Sequence, residues 1–370
     1  MIKVVHLTNT MSPYRIPVLN KVASHERIDL EVWYLKEQES NRKWIINKEE
    51  INYKFHCLKG ISFFVQKLDM GIHINPFVFL KLLKKSPDVV FVTGYDAIAY
   101  WTAIAYAKLF KKKVSVWWGS TLNSSRIQNK MVNAVRQFYF SRADTFITYG
   151  SDATDCLIHY GVNKGKIITG YNTVDIKYFY RETRRSILKR DRNSSVLKLL
   201  FVGQLIPRKG LEETFEILKK LDTNNWELDI IGSGPEELTY KKMINDFGLQ
   251  HKVNFIGYKQ KEELVAFIKA ADCLLFPSIL EVWGLVVNEA LASGKFILSS
   301  KYAGVTSDLI IHKHNGYIID PLDKVQYTEA LKWVVENKKF IREKVYSPLS
   351  VWKKMHTDTY ANAVIKALES

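Results

Sequence analysis

Short runs of apolar and β-branched residues alternate with helix-length segments, and this alternation runs through the chain twice. In the first half, residues 4–7, 30–35, 89–92, 114–117 and 145–148 read as strands, with helical stretches at 16–24, 97–110 and 130–141. The pattern restarts with strands at 197–202, 227–231, 253–255, 273–276, 296–298 and 316–319. Helices fill the gaps at 210–221, 236–247, 261–270 and 285–293. Strands interleaved with helices of this length predict βαβ units and buried parallel sheets. Residues 181–195 (RETRRSILKRDRNSS) break the rhythm, being polar and charged, and read as surface loop or linker. The expected organisation is a first Rossmann-like domain over 1–178, a linker over 179–195, a second Rossmann-like domain over 196–345, and an amphipathic segment over 346–370 packing back on the first. Two doubly wound α/β domains would then face each other across a cleft, with ligands beyond the carboxyl ends of the strands.

A chain of 370 residues is comfortable for two such domains. The longest apolar run, 97–107, is bounded by Asp96 and Lys108 and falls short of the ~20 residues a membrane span needs. The opening MIKVVHLT lacks the sustained apolar core of a signal peptide and reads as a buried strand. Cys57, Cys156 and Cys273 lie far apart, without the paired spacing of a disulfide framework or a zinc site. A reducing, cytosolic setting is expected.

Basic residues exceed acidic ones by 16, and the excess is concentrated. Between Lys81 and Arg142 eleven basic residues, Arg126 among them, stand against only Asp88 and Asp96, with Trp101, Phe110, Trp117 and Phe138 interleaved. Three readings compete: solvated helix faces, attachment to anionic lipid, and nucleic acid. The chain shows neither zinc-finger spacing nor a ribonucleoprotein aromatic motif, which puts nucleic acid last.

The most informative segment is FPSILEVWGLVVNEA at 276–290. A strand ends near Phe276, a loop presents Glu281, and Gly284 opens a helix that carries Glu289. Exposed amides at Gly284, Leu285 and Val286 would attract an anion. Glu289, one turn further in, can accept two hydroxyl hydrogens such as a ribose offers. Glu281 sits in the loop above, where a sugar attached to a diphosphate would project. In FVGQLIPRKG at 201–210, a strand ends at Gly203 and a tight loop carries Arg208 and Lys209, which could stabilise charge on a departing diphosphate. Gly232 and Gly234 after a strand are weak evidence of phosphate binding. Asn172-Thr-Val-Asp175, followed by Phe179, says only that the chain turns.

The order of these motifs resembles the retaining glycosyltransferases of family four, which have the two-domain GT-B fold. The resemblance runs from Asn172 to Asp323. It takes in Asn-x-Val-Asp-x3-Phe at 172–179, Val-Gly-x-Leu-x-Pro-x-Lys-Gly at 202–210, Gly-x-Gly-Pro at 232–235, Phe255-Ile-Gly257 with Glu263-Leu264, the Glu-x7-Glu pair Glu281 and Glu289, Gly304-Val305, and Asn315-Gly316 with Pro321 and Asp323. It implies transfer of a sugar from a nucleotide diphosphate sugar, a UDP-sugar before a GDP-sugar, to a growing glycan or lipid-linked acceptor in cell-surface polysaccharide synthesis. By position, Lys209 would contact the donor phosphates, with Arg208 beside it, and Glu281 would lie by the sugar. Gly203, Gln204, Gly232, Gly234, Val282 and Trp283 would border the donor, Gly284 to Val286 would meet the diphosphate, Glu289 would hold the ribose, and the backbone near Tyr258 would border the base. No Asp-x-Asp pair occurs, so neither a metal nor another cofactor is expected, and Arg208, Lys209 and the helix dipole would stand in for the metal's charge.

Two departures stand out. Gln204 occupies the position where the family has arginine, which leaves Arg208 to compensate. The histidine of the family's first domain has no counterpart in Trp117-Trp-Gly-Ser-Thr121. Tyr14 and Arg15 are candidates for the acceptor side, with Trp118 and Ser120, although Pro13 and Tyr14 equally suit a helix start. A basic, aromatic first domain would hold an anionic lipid-linked acceptor at a membrane face, with no role for nucleic acid. The rival readings are a sugar-nucleotide epimerase of the same shape, which product analysis without acceptor would reveal, and a non-catalytic basic RNA-binding protein with salt-steep affinity.

Overall fold

In the computed structural model of the chain, all residues are described except 40–41, 66–69, 126–128, 188–193, 222–224 and 344–346. Arg126 and part of the expected linker therefore lie outside the described residues. The chain divides into two compact units, one of residues 1–174 with 356–370 and the other of residues 175–355.

The first unit is built on a seven-stranded parallel sheet. Its strands are β1 (Ile2–Thr10), β2 (Ile28–Lys36), β3 (Lys54–Cys57), β6 (Val89–Val92), β7 (Lys113–Trp118), β8 (Thr145–Thr148) and β9 (Ile167–Thr169), in the spatial order β3-β2-β1-β6-β7-β8-β9. A separate antiparallel pair, β4 (Ile61–Val65) and β5 (Met70–Ile74), was not anticipated from the sequence. Side-chain alternation sorts the strands onto two cores. Val5, Leu7, Val90, Val92, Val114 and Val116 pack with Val78, Leu82, Tyr100, Ala103, Tyr139 and Phe140 of the helices Val78–Lys85, Ile98–Leu109 and Lys130–Ser141. Val4, Val32, Phe91, Trp117 and Ile147 face the opposite way, toward the helices Ile16–Ala23 and Thr357–Glu369. The Thr145 hydroxyl donates to the Ala367 carbonyl at 2.9 Å, and the Trp117 indole donates to the Tyr360 hydroxyl.

The second unit carries β10 (Leu197–Val202), β11 (Trp226–Ile231), β12 (Val253–Gly257), β13 (Cys273–Phe276), β14 (Phe296–Ser300) and β15 (Gly316–Ile319). The order is β12-β11-β10-β13-β14-β15 and every pairing is parallel. The strand order reverses between β10 and β13, and such a reversal opens a crevice at the carboxyl ends of the strands.

The segment expected to be linker begins as a helix, Ile176–Ile187. The Asp175 carboxylate accepts from the Tyr178 amide at 3.2 Å, the bond an N-capping aspartate makes to the third helical residue. Ile176, Phe179 and Thr183 are buried along one side of this helix, which packs on the helices Leu285–Ala292 and Lys261–Ala270. Tertiary burial thus overrides the polar composition, and the division between the units falls before Asp175 rather than after 178. Within the closing segment, Leu349–Met355 belongs to the second unit, while Thr357–Glu369 belongs to the first.

Candidate active site

Two loops leave the second sheet at its reversal, one after β10 and one after β13. The first runs from Gly203 to Gly210 and contains a single 3-10 turn, Pro207–Lys209. The second runs from Pro277 to Gly284 and is bound to the first along its length. Amides of Ile279 and Leu280 donate to the Arg208 carbonyl at 2.9 and 3.4 Å, and the Arg208 guanidinium donates to the Leu280 carbonyl at 3.3 Å. Further along, Glu281 bridges to Ala303, and the Val305 amide donates to the Trp283 carbonyl at 3.3 Å.

These ties bring the Lys209 ammonium onto the Glu281 carboxylate as an ion pair, with only 13% and 15% of the two side chains exposed. Burial on its own would raise the Glu281 carboxyl, but Lys209, with Arg208 behind it, outweighs burial and holds it below the ordinary carboxylate value. Glu281 therefore stays ionised, and the pair lies in a half-dry setting where charge counts for more than in water.

The helix Leu285–Ala292 starts two residues past Trp283, with Gly284 between them. Gly284 has φ +110°, and a Cβ there would stand 2.4 Å from the Phe276 ring. Only glycine suits a left-handed turn pressed against an aromatic face. Among the described residues, the amides of Gly284, Leu285 and Val286 have no backbone acceptor, and no side chain caps this helix. Its first turn is therefore an open set of donors with the positive end of the helix dipole behind them. Gly284→Ala is expected to lower Tm by several degrees through backbone strain of about 1–3 kcal/mol. The same change should weaken diphosphate binding more than tenfold, a pairing that thermal melts and calorimetry together would measure.

Glu289 lies in the second turn of this helix. Side chains on a helix lean toward its N-terminus, so residue 289 tilts back toward the open amides. Glu289 is only 3% exposed, and burial pushes its carboxyl up to about 8, with Lys261 pulling weakly the other way. Its protonated form thus dominates at neutral pH. The Lys261 ammonium rests 4.0 Å from the centre of the Tyr178 ring.

Other residues singled out in the sequence have different placements. The Trp283 indole is buried and donates to Asn288 at 3.0 Å, so its side chain fixes the loop and only its backbone is left for a ligand. The Val282 amide donates to the Glu281 carboxylate at 3.2 Å. Gly232, at φ +146°, lies so close to the Gly203 carbonyl that a Cβ would stand 1.8 Å from it, and Gly234 is closed in by the Leu205 carbonyl. These glycines let the β10 and β11 loops touch. Gly203 donates its amide to Ile231 at 2.9 Å, leaving the neighbouring Gln204 partly buried in the same loop. Tyr258 follows the end of β12, the outer strand two places from β10, and is 38% exposed. Ser278 is part of the sequence context of the Glu281 motif, and the sequence assigns it no role of its own. Its hydroxyl is buried and has no partner among the described residues, an unmet polar group in the loop that carries Glu281.

In the first unit the segment after β1 holds Tyr14 and Arg15, and the end of β7 with the loop after it holds Trp118 and Ser120. The Arg15 guanidinium donates to the Thr8 hydroxyl at 2.6 Å and to the Tyr149 hydroxyl, and lies 5.1 Å from the Trp117 ring centre. All three partners are neutral. Tyr14 meets the Trp44 ring edge-on at 6.0 Å. Trp118 is buried in the core, stacked on Tyr95 and edge-on to Phe140, so its side chain packs the unit and is not exposed to an acceptor. Ser120 lies in the partly exposed loop that follows. His6 is fully buried beside Phe91 and Trp117, and burial together with Arg15 lowers it to about 3, so it stays neutral. Among the described residues, no group of three or more histidine, cysteine, aspartate or glutamate side chains is placed to hold a metal ion.

Residues 182–346 match the family model described as glycosyl transferases group 1. That stretch, a little under half of the chain, carries the group 1 glycosyltransferase pattern. A relative from Methanocaldococcus jannaschii, described as an uncharacterised glycosyltransferase, is 26% identical over 298 residues, 78% of each chain. Three further curated relatives match over less than half their own length, one at 32% identity spanning only 37% of the relative. The HepE protein of Anabaena, solved in complex with UDP and glucose, superposes at a TM-score of 0.74 with 16% identity over 100% of both chains. The apo lipopolysaccharide outer core galactosyltransferase WaaB superposes at 0.70 with 19% identity over 99% of both. At these identities the likeness is one of fold, and the fold is GT-B. The motif order in the sequence points to the same family.

Proposed function

We propose that this chain transfers a sugar, with retention at the anomeric carbon, from a nucleotide diphosphate sugar to an acceptor on a growing glycan or lipid carrier. The observation that carries the reading is the pairing of Lys209 with Glu281 beside the open amides of Gly284 to Val286, at the strand-order reversal of the second sheet. In this role the diphosphate rests on those amides and draws Lys209 toward it. Glu281 lies by the sugar and Glu289 takes the ribose hydroxyls. The acceptor oxygen bonds to the anomeric carbon on the face from which the diphosphate leaves. The bond between the anomeric carbon and the diphosphate oxygen breaks with its electron pair going to that oxygen, and a diphosphate oxygen takes the acceptor proton. Lys209, Arg208 and the helix dipole stabilise the charge that develops.

A uridine donor is favoured, since the similar HepE protein was solved with UDP and glucose. Cell-surface polysaccharide synthesis is favoured by the likeness to a lipopolysaccharide galactosyltransferase. On the acceptor side, the hydrogen-bond partners of Arg15 among the described residues carry no negative charge, which suits an acceptor carrying phosphate or carboxylate. A lipid-linked acceptor also calls for a protein that works at a membrane surface. Calorimetry against UDP, GDP and their sugars tests the donor reading. Binding of at least one should be unchanged by excess EDTA, because protein groups supply the positive charge. Donor binding that requires added divalent cation would overturn the metal-free assignment, and no binding of any would overturn the donor site.

A further inference from the structure

Three helices cover one face of the first sheet: Val78–Lys85, Ile98–Leu109 and Lys130–Ser141. Their buried stripes join a single core, so their outer stripes look away from the sheet on the same side. The helices also touch one another through rings, Phe79 with Tyr106 at 5.9 Å and Trp101 with Phe138 at 6.2 Å, which makes the outer surface continuous. That surface is apolar where water should dictate polarity. Phe77, Leu80, Ile98, Leu109, Met131 and Phe138 are each more than half exposed. The spacing of 131, 135 and 138, like that of 77, 80 and 84, is the repeat of one helix side.

Lysines stud the same stripes, with Lys81, Lys84, Lys111 and Lys130 all exposed. No carboxylate of the described residues lies within ion-pair distance of Lys81 or Lys84. Beside them a cavity of about 270 Å³, lined by Leu58, Lys59, Asn75, Phe77, Val78 and Lys81, has apolar walls and lysines at its rim.

We infer that this three-helix face docks the protein on an anionic lipid surface, its apolar side chains entering the headgroup boundary and its lysines meeting lipid phosphates. An apolar stripe flanked by lysines is the pattern of a helix lying in a membrane interface. A second copy of this chain would press like charges together, and nucleic acid has no use for so many bare aliphatic side chains. No helix among the described residues is long and apolar enough to cross a membrane, so attachment is to the surface. The inference goes beyond the donor reading, and the two can fail separately, because nucleotide binding is measured without vesicles.

Flotation of the full chain with vesicles tests it. Recovery is expected with phosphatidylcholine mixed with phosphatidylglycerol, much less with phosphatidylcholine alone, and should fall as salt shortens the Debye length from ~10 Å at 0.1 M to ~3 Å at 1 M. Each lysine at such a surface is worth about fivefold in affinity, so Lys81→Gln/Lys84→Gln should weaken partitioning roughly 25-fold. The exposed pair Lys332→Gln/Lys339→Gln in the second unit removes the same net charge and should change it little. Leu80→Ser/Met131→Ser should lower the recovery that survives high salt. Equal recovery on neutral and anionic vesicles overturns the inference, as does an equal loss from the two lysine pairs. Reversible self-association abolished by Leu80→Ser/Met131→Ser, without vesicle binding, would also overturn it by making a second copy the occupant.

Discussion

Lys209→Ala is expected to lower turnover by about 10²–10³, the typical cost of removing one preorganised charge or donor from a developing anion. The same substitution strips Glu281 of the cation that holds its carboxyl down, leaving a poorly hydrated carboxylate. Breaking one side of such a pair destabilises the fold, so a drop in Tm should accompany the loss of activity. The double variant Lys209→Ala/Glu281→Gln separates the two effects. Its neutral amide needs no cation, so Tm should return toward that of the parent while turnover stays low. Recovery of turnover in the double variant would mean that Lys209 serves only to hold Glu281. Arg208→Ala is the companion measurement. It removes the guanidinium bond to Leu280 but leaves the backbone bonds from Ile279 and Leu280, so the loop persists and the charge is what changes. If turnover is untouched by that variant, Arg208 does not stand in for the arginine missing at Gln204.

The second large effect concerns protons. The Glu289 carboxyl, raised by burial to about 8, is protonated in the free protein at pH 7, whereas a ribose donating two hydroxyls favours the carboxylate. Binding of a nucleoside diphosphate should therefore release close to one proton at pH 7, and affinity should climb between about pH 6 and pH 8. Calorimetry in buffers of different ionisation enthalpy counts that proton directly. Glu289→Gln should abolish the release and weaken binding about 10- to 100-fold, the worth of hydrogen bonds to a charged acceptor. Stability carries the opposite mark. The folded chain keeps a proton that the unfolded chain sheds above the ordinary value of 4.5, so this group's contribution is complete below 4.5 and is lost as pH rises to about 8. The ligand-free parent should thus lose several kcal/mol relative to Glu289→Gln across that window. A denaturation series showing parallel curves for the two proteins would remove the raised carboxyl from the account.

Strand positions were readable because a parallel sheet buries each strand on both faces, and runs such as Val89–Val92 or Cys273–Phe276 have no alternative use in a chain of this charge. The loop carrying Glu281 was readable because glycine, proline and glutamate sit where a strand must hand over to a helix. Elsewhere the sequence was mute for definite reasons. Asp175 and Phe179 looked like a turn because the partner that buries their helix, Leu285–Ala292, lies more than a hundred residues further along. Gly232 and Gly234 were only weak evidence of a phosphate site because glycine signals close approach without saying what approaches; the backbone of the loop after β10 lies against both. Trp118 looked like an acceptor platform because an indole on a strand end is equally suited to a core. The open face of the helices at 78–141 was half visible, as charge, but not which apolar residues remain uncovered.

The helix at residues 357–369 seals the side of the first sheet that holds Val4, Val32, Trp117 and Ile147. Its bonds to Thr145 and Trp117 join positions more than two hundred residues apart. A ribosome that has made the first 174 residues has therefore made a sheet with one side covered only by the helix Ile16–Ala23 and otherwise still wet. That side must wait, through the synthesis of the whole second unit, for its cover. Nascent chains of this protein should thus be customers for chaperones until the final segment emerges, and clipping that segment should cost the amino-terminal half its solubility before it affects nucleotide binding.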